Sequence, residues 1–429
     1  LFNNLTLKFI FNNIHCANQQ HYHQCSTLAC AISMDKVRKA EENLSENPTT
    51  SCNANESREA EKVKRSKRKF KFASFLTNTF NAIKTFRVPI PSCLLNCIAF
   101  APPLSSQYEF VKKTGETTPM KYFVTILPSI AANIPVVKVK RMLFQSNGFY
   151  LESTSSTRIA CIHMKNSIRQ PSPMFIIMSH LNACDMAAGM EYGDLLCRYF
   201  GLDIFMYDYP GYGLSEGRPS ENGLYRSHDL LYKYMTTELK IPPKKIILIG
   251  VSIGTVPAID LASKEEVGCL IVMSSFTSAY GTICPNAKWN CFKDRLCNLS
   301  KIREVNSPTL IIHGEEDEMF DVRHSMQLAE NCPYSCSPVV IAGASHSDVP
   351  FKKQTLKKIS EFLYANFRLL RPPYQIRDTD ERYETPEFFV QLYAKLNDAK
   401  CNKDEKRPFL SMFSSVSASS NSDDLGEDE

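Results

Sequence analysis

Between residues 136 and 367 the hydrophobic positions follow two alternating rhythms. Short runs of buried-type residues at 174–179, 203–207, 246–249, 269–273, 309–313 and 338–342 have the length and β-branched content of strands covered on both faces. Between them, at 190–200, 223–239, from 252 onward, 323–331 and 354–367, apolar residues recur every three or four positions, which predicts helices. Ahead of this alternation, residues 136–143, 148–151 and 158–164 read as strands of an antiparallel opening. The expected fold class is α/β: a mostly parallel central sheet with helices on both faces, its active groups gathered at the carboxyl ends of the strands. The stretch 274–305 breaks the pattern and is expected to be irregular.

The chain ends follow neither rhythm. Residues 1–60, rich in Asn, Gln, Ser and Glu, are expected to be a disordered extension. The segment 61–97 is basic and Phe-rich: KVKRSKRKFKF at 62–72 contains no acid and leads into Phe75, Leu76, Phe80 and Ile83 at helical spacing. That is the pattern of a basic amphipathic segment resting on an anionic membrane surface. Cys93 and Cys97, just downstream, are candidates for S-acylation. Residues 98–370 form the expected catalytic domain, and 371–429 a C-terminal extension with one short helix starting near Thr385-Pro386-Glu387 and an acidic, Ser-rich tail.

Composition narrows the class. With 43% hydrophobic and 22% charged residues the chain reads as a soluble globular protein, and no apolar run approaches the ~18 to 20 residues that a spanning helix requires. The 16 Cys are scattered through strand-like and helix-like stretches, which suits free thiols in a reducing compartment. The start LFNNLTLKFIF lacks a basic n-region, so no secretory signal is expected, and Met34 is a plausible initiation site. The expected location is cytoplasmic and peripheral to a membrane, at the plasma-membrane or endosomal face. His15, Cys16, His21, His23, Cys25 and Cys30 match no metal-ligand spacing. Neither metal nor cofactor is expected, and nucleic acid is not an expected partner.

The chemistry centres on KKIILIGVSIGTVPAID at 244–260. A buried strand ends at Gly250 and a helix begins almost at once, with Ser252 at the corner, which is the G-x-S-x-G nucleophile elbow. The N–H of Ile253, at the positive end of the new helix, is the expected first oxyanion donor. A Ser hydroxyl needs a base and an orienting acid, which in this fold class follow in the order acid, then His. The strand at 309–313 ends in HGEED and the next in AGASH, so Asp317 and His346 are the expected partners, ahead of Glu315, Glu316, Glu318 and Asp321. His313 is expected to fix the loop rather than act as base. The second oxyanion donor is expected from the loop after the strand at 174–179, as the backbone N–H of Leu181 or Asn182. The turn DYPGYG at 208–213 is expected to pack beneath the site.

Taken together, MSHLNACD at 178–185, YDYPGYGLSEGRPSEN at 207–222, IILIGVSIGTVPAIDLA at 246–262, LIIHGEEDEMFD at 310–321 and GASHSDV at 343–349 resemble, in order and spacing, the α/β-hydrolase domain-containing 17 family. The resemblance, over roughly residues 98–366, implies an α/β-hydrolase fold, the triad Ser252, Asp317 and His346, and protein depalmitoylation, with S-palmitoylated proteins as substrates at the cytoplasmic face of membranes. The alternatives are a lysophospholipase or monoacylglycerol-type esterase, and a catalytically weak hydrolase fold kept as a binding module. The last rests on Leu181, which stands where the family has Gly: were that position left-handed, Leu would displace the oxyanion loop.

Overall fold

The computed structural model describes residues 99–368, apart from 114–121, 132–133, 154–156, 169–170 and 284–293. The two terminal extensions, with the basic segment, Cys93, Cys97 and the helix expected from Thr385, lie outside the described residues.

A ten-stranded sheet forms the middle of the molecule. In chain order its strands are β1 (Tyr108–Lys112), β2 (Tyr122–Ile126), β3 (Ser146–Glu152), β4 (Arg158–Met164), β5 (Phe175–Ser179), β6 (Asp203–Tyr207), β7 (Ile246–Val251), β8 (Cys269–Met273), β9 (Thr309–Gly314) and β10 (Val339–Ile341). In space they lie β1-β2-β3-β4-β6-β5-β7-β8-β9-β10. The first four strands pair antiparallel, β4 pairs antiparallel with β6, and all pairings from β6 to β10 are parallel. The strand order reverses at β5, which is where an open α/β sheet leaves a crevice at its carboxyl end. Its neighbour there is β7, with Ser179 in register with Gly250, so the loop after β5 and the elbow after β7 emerge side by side.

Among the described residues six main helices cover the faces: α1 (Val136–Gln145), α2 (Met186–Phe200), α3 (Glu221–Lys233), α4 (Thr255–Ala262), α5 (Arg323–Asn331) and α6 (Lys353–Phe367). Side chains of α3, α4 and α5 pack into one apolar core and those of α1, α2 and α6 into the other, one on each side of the sheet. Burial of both strand faces explains the continuous apolar runs of β5, β7 and β8. Local chemistry sets several helix ends. Asp185 caps α2 by accepting from the Ala187 N–H at 3.0 Å, and Gly201, at φ 63°, closes it in the left-handed conformation.

Two sequence expectations need correction. Residues 136–143 form the greater part of helix α1, not a strand. The V-K-V-K run imitates a period of two, but Val139, Met142 and Leu143 meet the core at helical spacing while Val136, Val137 and Phe144 face solvent. The antiparallel opening instead begins with β1 and β2, mixed polar and apolar segments in which the alternation is weak. The helix expected at 223–239 is also divided, since α3 passes into a π-type turn at Tyr234–Glu238. Between β8 and β9 the described residues contain only short helical turns, Ala279–Ile283, Asn298–Lys301 and Ile302–Glu304.

Candidate active site

Strand β7 delivers Ser252 into a backbone conformation that few side chains adopt. Its φ is 54°, at the start of a tight turn of 3-10 type, Ser252–Gly254, that feeds α4. Such strain persists only where surrounding packing imposes it, and it holds the hydroxyl on the crest of the turn. Both flanking glycines are required by close approach. A Cβ at Gly250 would lie 2.5 Å from the Gly254 carbonyl oxygen, and one at Gly254 only 2.2 Å from that of Ser179 and 2.8 Å from that of His180. The loop after β5 is therefore pressed directly onto the elbow.

Three elements converge on this hydroxyl. His346, in the loop after β10, has its Nε2 2.9 Å from Ser252 Oγ, and its Nδ1 2.8 and 3.0 Å from the two carboxylate oxygens of Asp317, in the loop after β9. Asp317 Oδ1 also accepts from the N–H groups of Met319 and Phe320, at 2.9 and 2.8 Å, which fixes the carboxylate. The Phe320 ring meets the His346 ring edge-on at 5.1 Å. His346 and Ser252 are almost wholly buried, 2% and 5% exposed. Burial, the largest influence on both partners, disfavours the charged forms; their mutual attraction and hydrogen bond outweigh it, raising His346 above its ordinary 6.5 and lowering Asp317 below its ordinary 3.8. An imidazole aligned between a hydroxyl and a carboxylate in this way can take a proton from the hydroxyl and hold the resulting charge.

Three of the four rival acids, Glu315, Glu318 and Asp321, have other occupations. Glu315 accepts from the Gly343 N–H at 3.1 Å and Glu318 from the His346 N–H at 3.2 Å. Asp348 accepts from Ser345 N–H at 2.7 Å, while Asp321 pairs with Arg323. His313 donates from Nε2 to the Phe320 carbonyl at 2.9 Å and its Nδ1 lies 2.7 Å from Ser325 Oγ, so it braces the Asp317 loop as expected.

The loop after β5 differs from expectation in one respect. Leu181 does not occupy the left-handed region; that conformation falls on Ala183, at φ 61°. The predicted displacement of the loop therefore has no cause. The Asn182 side chain ties the loop to residues 99–101: its Oδ1 accepts from the Ala101 N–H at 3.0 Å and from Tyr212 OH at 2.7 Å, and its Nδ2 donates to the Ala99 carbonyl at 2.7 Å. The turn at 208–213 does pack beneath the site, as its sequence predicts: Tyr209 OH donates to the His180 carbonyl at 2.6 Å. Below it, Tyr108 OH donates to Asp208 at 2.6 Å, and burial, then the Asp208 charge, pushes the Asp185 carboxyl up to about 7. Sequence reasoning missed the role of residues 99–101. The Ala99-Phe100-Ala101 run gave no hint of it, since the partners are distant in the chain.

A small apolar cavity of about 30 Å³ adjoins the loop and elbow, between Met178, Leu181, Tyr192, Val251 and Phe351. Among the described residues no group of three or more His, Cys, Asp or Glu could hold a metal ion, and no helix is long and apolar enough to cross a membrane.

Comparison with known proteins places this geometry in context. Residues 250–359, from the elbow past His346, match the family described as Serine hydrolase (FSH1). The chain is 36% identical over 223 residues to alpha/beta hydrolase domain-containing protein 17C of Mus musculus, a match spanning 50% of this chain and 67% of the relative. It is 36% identical over 222 residues to alpha/beta hydrolase domain-containing protein 17B of Xenopus tropicalis, spanning 50% of this chain and 74% of that relative. Among solved structures, that of the Pyrococcus furiosus esterase Pf2001 aligns over 59% of this chain and 98% of its own, with a TM-score of 0.44 and 16% identity.

Proposed function

We propose that this chain, which belongs to the alpha/beta hydrolase domain-containing protein 17 family, hydrolyses the thioester that joins a palmitoyl or similar acyl chain to a protein cysteine. It is a serine hydrolase of the α/β-hydrolase fold; the thioester and the protein substrate are the inferred part. The observation that carries the reading is the unbroken relay from Ser252 Oγ through His346 to Asp317, at 2.9 and 2.8 Å.

In the proposed reaction, His346 Nε2 takes the proton as Ser252 Oγ attacks the carbonyl carbon, and Asp317 holds and stabilises the imidazolium. The developing oxyanion is assigned to the backbone N–H groups of Ile253 and Leu181. Collapse expels the cysteine sulfur, which takes the proton from His346 and leaves as the thiol, returning the imidazole to its neutral form; with an ordinary pKa of about 8.5, the thiol is an easier leaving group than an alcohol. Water, deprotonated by the same histidine, then attacks the acyl-serine, releasing fatty acid and Ser252. The cavity beside Leu181, lined by Met178, Tyr192, Val251 and Phe351, is the apolar surface assigned to the start of the acyl chain. Membrane recruitment through the basic segment at 61–97 and acylation of Cys93 and Cys97 belong to the same proposal.

The test is fluorophosphonate labelling of the full chain beside Ser252→Ala, followed by palmitate release from a palmitoyl-cysteine peptide and from a monoacylglycerol. Labelling and thioester cleavage lost together in the variant support the proposal. Faster turnover of the oxygen ester would move the assignment to an esterase, and an unlabelled, folded wild type would leave a binding module.

A further inference from the structure

We infer that residues 99–101 are a strap that positions the oxyanion loop, acting through the side chain of Asn182. The inference rests on the proposed reading of that loop as the oxyanion donor. Asn182, 9% exposed, uses both ends of its amide on this contact: Oδ1 accepts from the Ala101 N–H at 3.0 Å, and Nδ2 donates to the Ala99 carbonyl at 2.7 Å. One side chain thus spans two backbone groups of the strap, as a neighbouring strand would. Tyr212 closes the arrangement, its OH donating to Asn182 Oδ1 at 2.7 Å and accepting from the Ala101 N–H at 3.1 Å. Between the two anchor points Phe100, 2% exposed, is sunk into the core on the α3–α4 side of the sheet.

Opposite this clamp stands the elbow. The carbonyls of Ser179 and His180 crowd the Cα of Gly254 so closely that no Cβ fits. Leu181, which bears the N–H assigned to the oxyanion, is therefore held between the elbow on one side and Asn182 with its strap on the other. Among the described residues, the strap contributes no side chain hydrogen bond to this contact; Ala99 and Ala101 act through backbone alone. A hydrogen-bonded, buried anchor of this kind keeps a donor within the small tolerance that oxyanion stabilisation demands. Asn182 is accordingly a positioning residue, and the chain entering the domain at residue 99 completes the site.

The test uses the full chain with Asn182→Ala, which removes the clamp from the loop side, Ala101→Pro, which removes the N–H from the strap side, and the double variant. A palmitoyl-cysteine peptide serves as substrate, and active sites are counted by fluorophosphonate so that loss of folded protein does not register as loss of rate. Each single substitution is expected to lower kcat per labelled site by about 10- to 100-fold, the scale of a misplacement of order 1 Å, with KM unchanged. The double variant should fall no further than the worse single one, because both changes break one contact. The pH midpoint of the rate should stay in place, since His346 and Asp317 are untouched. Hydrogen exchange should quicken in peptides covering 178–184 and remain slow across 246–251. Wild-type kcat in a folded single variant, losses that multiply in the double variant, or unchanged exchange at 178–184 would each overturn the inference. Should the wild type neither take the label nor release palmitate, the proposed function fails, and the exchange comparison alone still decides whether the strap holds the loop.

Discussion

Gly254→Ala is the substitution whose consequence the geometry fixes most tightly. A methyl at this position would lie 2.2 Å from the Ser179 oxygen, 2.7 Å from the Ser179 carbonyl carbon and 2.8 Å from the His180 oxygen, all backbone atoms. Real Cβ atoms essentially never come within 3.0 Å of a neighbour, so the shortest contact demands a separation of at least 3.0 − 2.2 = 0.8 Å. No flexible side chain can absorb that shift. Either the β5 loop moves off the elbow or Ser252 moves away from His346, and both disturb groups that must stay aligned. The cost to stability is about 1–3 kcal/mol, typical of overpacking a filled interior, a fall of several degrees in Tm. The cost to reaction is larger, about 100-fold in the rate of fluorophosphonate labelling, as expected for a displacement approaching 1 Å at the reacting centre. The assay is labelling rate against time, normalised to folded protein by thermal melt. A Gly254→Ala protein that melts like wild type and labels at the wild-type rate would refute the claim that elbow and loop are in obligatory contact.

Other substitutions probe the charges. Asp317→Asn should lower kcat by about 10⁴-fold, as loss of the orienting carboxylate does in serine hydrolases, measured on the palmitoyl-cysteine peptide. Because burial of His346 is outweighed by the Asp317 charge, the rate of labelling should rise with pH through a midpoint above 6.5, and Asp317→Asn should move that midpoint downward; a midpoint unmoved by the substitution would separate the pair. His228, wholly buried and stacked on Tyr207, is lowered to about 4 mainly by burial. The unfolded chain therefore takes up that proton first, and stability present above pH 6.5 is lost as pH falls toward 4, on the order of 3 kcal/mol from this one group. Urea unfolding between pH 7 and 4 should show a shallower acid loss in His228→Phe than in wild type, and equal slopes would contradict the assignment.

Much of the fold was legible because strands β5 to β9 are buried on both faces and the helices between them bury apolar residues at helical spacing, α2 and α4 almost all round, so local hydrophobic rhythm carries the information. The elbow was legible for a similar reason: turn chemistry is written in adjacent residues, and Gly250, Ser252 and Gly254 fall within five positions. Helix α1 was misread because Val and Lys in alternation satisfy a strand pattern, and only the core beneath it selects the helical face. β1 and β2 escaped notice because they lie at one end of the sheet, where exposure weakens the alternation.

What the sequence determined by itself was therefore the α/β plan, the nucleophile at its corner and the order of acid and base behind it, since these depend on periodicity and short spacings. Tertiary structure alone decided that the left-handed conformation falls on Ala183 and not on Leu181, and that the Asn182 side chain serves a strap 81 residues away. Those outcomes turn on which backbone groups and charges become neighbours once the sheet is assembled, where a difference of an ångström separates a hydrogen bond from a clash. No local pattern in the chain encodes that distance.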